Sequence, residues 1–145
     1  MKITSPAFNE GEMIPVMYTC QGKDINPPIQ IADIPKETKS LALILEDPDA
    51  PMGTWVHWVM WNIPPTTSLI VENNVPAGAV QGKNSWGKNE YGGPCPPSGV
   101  HRYFIKVYAL DTPLTLSPSS GKKDLEKAMQ GHVITEGQLM GRAKK

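Results

Sequence analysis

Fifteen prolines and thirteen glycines are spread along the whole 145-residue chain, and they limit the fold more than any other feature of the sequence. Proline locks φ and lacks a backbone donor, and glycine weakens a helix interior, so a chain interrupted this often has no room for long helices. The pieces between are strand-sized. Ile29 to Ile34, Leu41 to Glu46, Trp55 to Asn62, Leu69 to Glu72 and Val100 to Leu110 are rich in β-branched and aromatic residues and end in turn formers. Because the breakers are not gathered into one linker, the reading is a single domain over residues 1–145, mostly β, with two packed antiparallel sheets.

Two of these pieces, Leu41 to Leu45 and Trp55 to Trp61, are apolar on both alternating faces, as strands covered on both sides would be. Within the second, Trp58 shares a face with Val56 and Met60 and reads as core. In Val100 to Leu110, His101, Tyr103, Ile105 and Val107 share one face while Arg102, Phe104, Lys106 and Tyr108 share the other. One short helix is predicted within Ser119 to Met129, with a serine N-cap and Gly131 as its stop. His132 to Gly141 reads as a last strand, since Gly137 and Gly141 would each weaken a helix by about 1 kcal/mol.

Lysines plus arginines equal aspartates plus glutamates, giving zero net charge with no basic run or acidic tail. Nothing draws in nucleic acid or an anionic membrane surface. Met1 to Pro15 carries Glu10 and Glu12 and no apolar stretch, and no apolar run reaches spanning length, so a soluble cytoplasmic protein is expected. A chain this long buries about 68 to 70% of its unfolded surface and needs no staple. In that compartment Cys20 and Cys95 read first as two small buried hydrophobes. The alternative is a single Cys20–Cys95 disulfide, which requires Cα atoms within about 7 Å.

Two segments combine proline with ionisable side chains. Asp47-Pro48-Asp49-Ala50-Pro51 leads into Trp55-Val56-His57-Trp58, and Tyr91-Gly92-Gly93-Pro94-Cys95-Pro96-Pro97 leads into Gly99-Val100-His101-Arg102-Tyr103. Singly, each polar residue has an ordinary role: a strand histidine among aromatics is a hydrogen-bonded core residue, and Asp beside proline caps a turn. Together, Asp47, His57 and His101 make a pocket for a small anion such as phosphate or carboxylate, walled by Tyr103 and Trp55. Asp49 and Arg102 are read as a structural ion pair beneath it. The same Asp47, His57 and His101 form a zinc- or iron-type ligand set, the less favoured reading. Ser85 and Ser98 lie in no nucleophile elbow.

These two segments, with Asn62-Ile63-Pro64 and Tyr18-Thr19-Cys20-Gln21-Gly22, resemble the phosphatidylethanolamine-binding protein family, in particular its bacterial and archaeal branch, whose eukaryotic relatives include the Raf kinase inhibitor protein. The resemblance implies a β-sandwich with a small anion pocket at one end, and often a cis peptide nearby. Carried over by motif, the pocket comprises Asp47, Trp55, His57, Pro96, Pro97, His101 and Tyr103, with Gly93 and Cys95 in its loop. Family members bind phosphate-bearing headgroups, nucleotides or simple anions, some inhibit kinases or serine proteases, and prokaryotic relatives often form homodimers. The chain ends at Lys145, without the C-terminal helical extension of the animal proteins, which implies a more open pocket.

The expectation is a non-catalytic small-anion or phosphate-headgroup binding protein acting through protein partners, with no cofactor and no metal. The alternatives are a kinase or serine protease inhibitor acting through a surface loop, and a metal-dependent enzyme using Asp47, His57 and His101.

Overall fold

A computed structural model describes residues 1–145 as eight strands, one 3-10 turn and one α-helix. The strands are β1 (Lys2–Thr4), β2 (Ile29–Ala32), β3 (Ser40–Asp47), β4 (Trp55–Ile63), β5 (Leu69–Ile70), β6 (Val80–Gln81), β7 (Val100–Leu110) and β8 (Val133–Lys144). The 3-10 turn is Val16–Tyr18, and α1 spans Lys122–Met129. All strand pairs are antiparallel, in a three-stranded sheet β1-β2-β5 and a five-stranded sheet β6-β4-β3-β7-β8. No helix is long and apolar enough to cross a membrane.

The doubly apolar strands lie at the centre of the larger sheet for the reason their pattern implies. Leu41, Leu43 and Leu45 of β3 join Trp58 and Met60 of β4 in the core between the sheets. Ala42 and Ile44, with Val59 and Trp61, face the other way into a second core closed by Leu125 and Met129 of α1. Every residue of β3 is buried, so a polar substitution anywhere along it would strand a group without water.

The alternation in β4 breaks where the site begins. Leu45 pairs with Trp58 but Glu46 pairs with Val56, which leaves His57 as an extra residue without a partner on β3. This bulge corrects the expected face of Val56: it packs against the helix-side core, while Trp58 and Met60 face the sandwich interior. A second irregularity at the far end of the same pair contains Asn62, held at φ 55° with its side chain exchanging two hydrogen bonds with the Leu114 backbone.

The helix begins at Gly121, not at a serine: the Gly121 N–H donates to the Asp124 carboxylate at 3.2 Å, while Ser117 and Ser119 bond to one another. The last strand runs past Gly141, where the chain approaches too closely for a side chain. A Cβ there would lie 2.6 Å from Ile14, because the Glu12 and Ile14 backbone bonds to Arg142 on the strand's outer edge. Every peptide bond is trans, contrary to the cis bond implied near the pocket.

Cys20 and Cys95 are also corrected. They are not separate buried hydrophobes but a disulfide with Cα atoms 5.4 Å apart, both residues exposed. Closing a separation of 75 residues removes unfolded-chain entropy equivalent to about 4 kcal/mol in the chain-entropy account. The domain therefore carries the staple its length did not require.

Candidate functional site

The site forms where β3 ends. Asp47 is 3% exposed, and its two carboxylate oxygens do different work. Oδ1 accepts the Asp49 N–H at 2.8 Å, the turn-capping role, and Oδ2 accepts from His101 Nδ1 at 2.7 Å. Both readings of an aspartate before proline are thus met by one residue. His101 reaches it because β7 lies beside β3, and the pleat that brings His101 inward also brings Tyr103, which is fully buried.

His57, the bulge residue of β4, turns its ring onto the glycine-rich loop, where Nδ1 lies 2.8 Å from the Gly92 carbonyl. A carbonyl only accepts, so Nδ1 carries the hydrogen; a carboxylate partner fixes the same tautomer for His101. In both rings Nε2 is the nitrogen left for the cavity. Burial pushes the His57 imidazole below its ordinary value, outweighing the Gly92 carbonyl and the attraction of Asp47, which act the other way. The Tyr103 hydroxyl lies near the Asp47 carboxylate and the Cys95 backbone but makes no hydrogen bond of acceptable geometry. Burial, then Asp47, raise its phenol above the ordinary range.

A cavity of about 310 Å3 opens over these groups. Of the residues expected from sequence, Asp47, Trp55, His57, Cys95, Pro97, His101 and Tyr103 line it. Gly93 and Pro96 do not. Pro96 is buried behind the wall, and Gly93 supports the loop from outside: its N–H donates to Asp24 at 2.7 Å, and a Cβ would strike the Tyr18 carbonyl.

Trp86, Ala50, Pro51 and Met52 also line the cavity and were not expected. Trp86 stands edge-on to Trp55, with ring centroids 5.5 Å apart, and to His57 at 5.0 Å, on a loop held by Asn84, whose Oδ1 accepts from Trp86 and Lys88 N–H. Gly92 leaves room for its ring. The sequence signal was available in Asn84-Ser85-Trp86-Gly87, a turn-forming stretch that carries a large aromatic with no strand to bury it. Met52 is 95% exposed at the rim.

Asp49 and Arg102 meet, but not beneath the pocket. Arg102 Nε and Nη2 donate to the two Asp49 oxygens at 2.9 and 2.8 Å, and the Arg102 backbone N–H adds a bond at 2.9 Å. The arginine side chain is 51% exposed, so this is a surface clasp on the outer side of β7. Its hydrogen bonds hold the Asp49 carboxyl down at about 2. Neighbouring residues of β7 thus grip both aspartates of the Asp47-Pro48-Asp49 turn, one inside and one outside. No three His, Cys, Asp or Glu side chains are grouped so as to hold a metal ion; Nδ1 of His57 is hydrogen-bonded to the Gly92 carbonyl and Nδ1 of His101 to Asp47 Oδ2, and Cys95 is in the disulfide.

The family model described as phosphatidylethanolamine-binding protein matches residues 4–144. A UPF0098 protein of Methanothermobacter thermautotrophicus is 51% identical, with 97% of each chain covered. One from Pyrococcus horikoshii is 50% identical over 97% of this chain and 75% of its own. Among solved structures, a phosphatidylethanolamine-binding protein homolog from Chlamydia trachomatis superposes with a TM-score of 0.96 at 44% identity, covering 99% of this chain and 97% of that one. YbcL of E. coli, described as a member of the mammalian family, gives 0.92 at 29% identity, covering 99% and 98%.

Proposed function

The chain belongs to the phosphatidylethanolamine-binding protein family, and from that premise we propose that it is a non-catalytic binding protein for small oxyanions, free or carried on a phosphate-bearing headgroup, acting through protein partners. The observation that carries the reading is the pair of buried imidazoles whose Nδ1 hydrogens are both spent on fixed acceptors. In its neutral form each ring offers the cavity only the Nε2 lone pair, which an anion repels. A proton added to the ring replaces that lone pair with a donor, and the resulting charge-assisted bond contributes about 1.5 to 3 kcal/mol. Anion capture is therefore coupled to proton uptake. Asp47 Oδ2 holds His101 Nδ1 across 2.7 Å, and the buried Tyr103 hydroxyl beside them has no partner of its own. The apolar rim of Trp55, Trp86, Pro97 and Met52 accommodates the organic part of an esterified ligand.

Sulfate is the test ligand, because it is tetrahedral like phosphate but does not itself titrate near neutral pH. Calorimetric titration in two buffers of different ionisation heat counts the protons taken up with each anion. About one to two are expected at mildly alkaline pH. Binding without proton uptake would refute the reading, as would no binding at any pH.

A further inference from the structure

The disulfide sits where the candidate pocket is least secured by anything else. Hydrogen bonds hold the glycine-rich loop as far as Pro94. The Gly92 N–H donates to the His57 carbonyl, the Gly93 N–H to Asp24, and the Cys20 N–H to the Pro94 carbonyl at 3.1 Å. The next backbone hydrogen bond is at Gly99, whose carbonyl accepts from Lys145 at 3.3 Å. Between these points residues 95–98 make no backbone hydrogen bond of ordinary geometry, and Pro96 and Pro97 have no N–H to offer. Yet Cys95 and Pro97 are a wall of the cavity. Packing of the buried Pro96 and the bond to Cys20 are what hold that wall.

We propose that the Cys20–Cys95 disulfide is a redox-operated tether on the anion pocket: closed, it fixes the wall formed by residues 95–98, and reduced by a dithiol, it releases that wall and weakens anion binding. This rests on the anion-binding reading given above. The chemistry is a two-electron exchange. A thiolate of the dithiol attacks one sulfur, and the S–S bond breaks through a mixed disulfide. Two protons complete the Cys20 and Cys95 thiols, and the dithiol leaves as its own disulfide. Both cysteines are exposed, so an attacking thiolate has access. The release stays local. The Tyr91 hydroxyl still donates to the Tyr18 carbonyl at 2.7 Å, and the bonds at Gly92, Gly93 and Pro94 remain.

The test compares sulfate affinity in the oxidised full chain, in the chain reduced with dithiothreitol and exchanged anaerobically into the same buffer, and in Cys20→Ser, which opens the tether without altering a pocket-lining residue. Amide hydrogen exchange and 15N NMR order parameters are followed in parallel. Reduction and Cys20→Ser should each weaken sulfate by about fivefold or more. They should also lower the order parameters of the Cys95, Ser98 and Gly99 amides towards flexible-loop values, while amide exchange in β3 and β7 stays protected. Equal affinity in the two redox states, or a change in only one readout, overturns the tether and leaves the anion-binding reading standing. Loss of protection throughout β3 and β7 also overturns it, since the bond would then be a staple of the whole fold. No sulfate binding even in the oxidised chain overturns the anion-binding reading itself, and the tether with it.

Discussion

Asp47→Asn separates the two jobs of the Asp47 carboxylate. Asparagine is isosteric and keeps an oxygen for the Asp49 N–H, so the turn that starts at 2.8 Å from Asp47 Oδ1 is retained. The amide nitrogen then faces His101 Nδ1, where a carboxylate oxygen stood at 2.7 Å. Two donors cannot face each other, so His101 must move its hydrogen to Nε2 and present a neutral donor to the cavity. At acidic pH this exchanges a charge-assisted bond of about 1.5 to 3 kcal/mol for a neutral one of about 0.5 to 1.5, so sulfate should bind roughly five- to tenfold more weakly than to wild type. At alkaline pH the order reverses, because the variant no longer needs a proton at His101. With one ring fewer taking up a proton, the variant's sulfate Kd should rise less steeply with pH than the wild type's, the remaining proton belonging to His57. Calorimetric titration across the pH range reads both slopes. Parallel curves for the two proteins would refute the reasoning, because the Asp47–His101 contact would then have no part in proton uptake.

Trp58→Ala should destabilise the domain by about 3 to 5 kcal/mol in urea unfolding, since the ring is 1% exposed and its loss also strands Gln81, which accepts from Trp58 Nε1 at 2.7 Å; a loss below about 1 kcal/mol would show that the sandwich interior collapses to fill the space. His57 titrates lower in the fold than its ordinary 6.5 because it is buried, so the unfolded chain binds more protons in that window. The contribution is full above about 6.5 and is lost as pH falls through the folded value; His57→Asn should remove that part of the pH dependence of the urea midpoint, and an unchanged profile would contradict it. Asp49→Asn should cost far less than loss of a buried charge, because Arg102 remains half in water; the melting temperature should move only slightly, and a large drop would mean that the clasp supports the Asp47 turn.

Much of the architecture was open to a reading of pattern. Leu41 to Leu45 show apolar residues on both faces because a sheet covers one side of them and a helix the other, and the alternation through Val100 to Leu110 places His101 and Tyr103 together. Pattern fails where the register slips. A period of two assigns Val56 to the face of Trp58, and only the pairing of Glu46 with Val56 reveals the bulge that re-aims His57. β1 and β6, three and two residues long, are too short to leave a periodic signal. The partnership of Cys20 and Cys95 is a distance, and no spacing in sequence carries it. Trp86 was hidden for a related reason: it reaches the pocket through a turn that Asn84 organises, so its role depends on where the loop folds back. Arg102 was placed on the correct side of β7, but sequence gives the side and not the depth, and at the end of a sheet that side is solvent.

The most direct test of the account is the protonation state of the two pocket imidazoles, read by 15N NMR on histidine-labelled protein without ligand and saturated with sulfate at mildly alkaline pH. Without ligand, His57 and His101 should each show a hydrogen on Nδ1, as their contacts with Gly92 and Asp47 require, and His57, whose charged form burial disfavours, should show a bare Nε2. With sulfate, both rings should become imidazolium, with Nε2 now protonated. Rings that stay neutral while sulfate binds, or that carry their hydrogen on Nε2 before it does, would contradict proton-coupled anion capture.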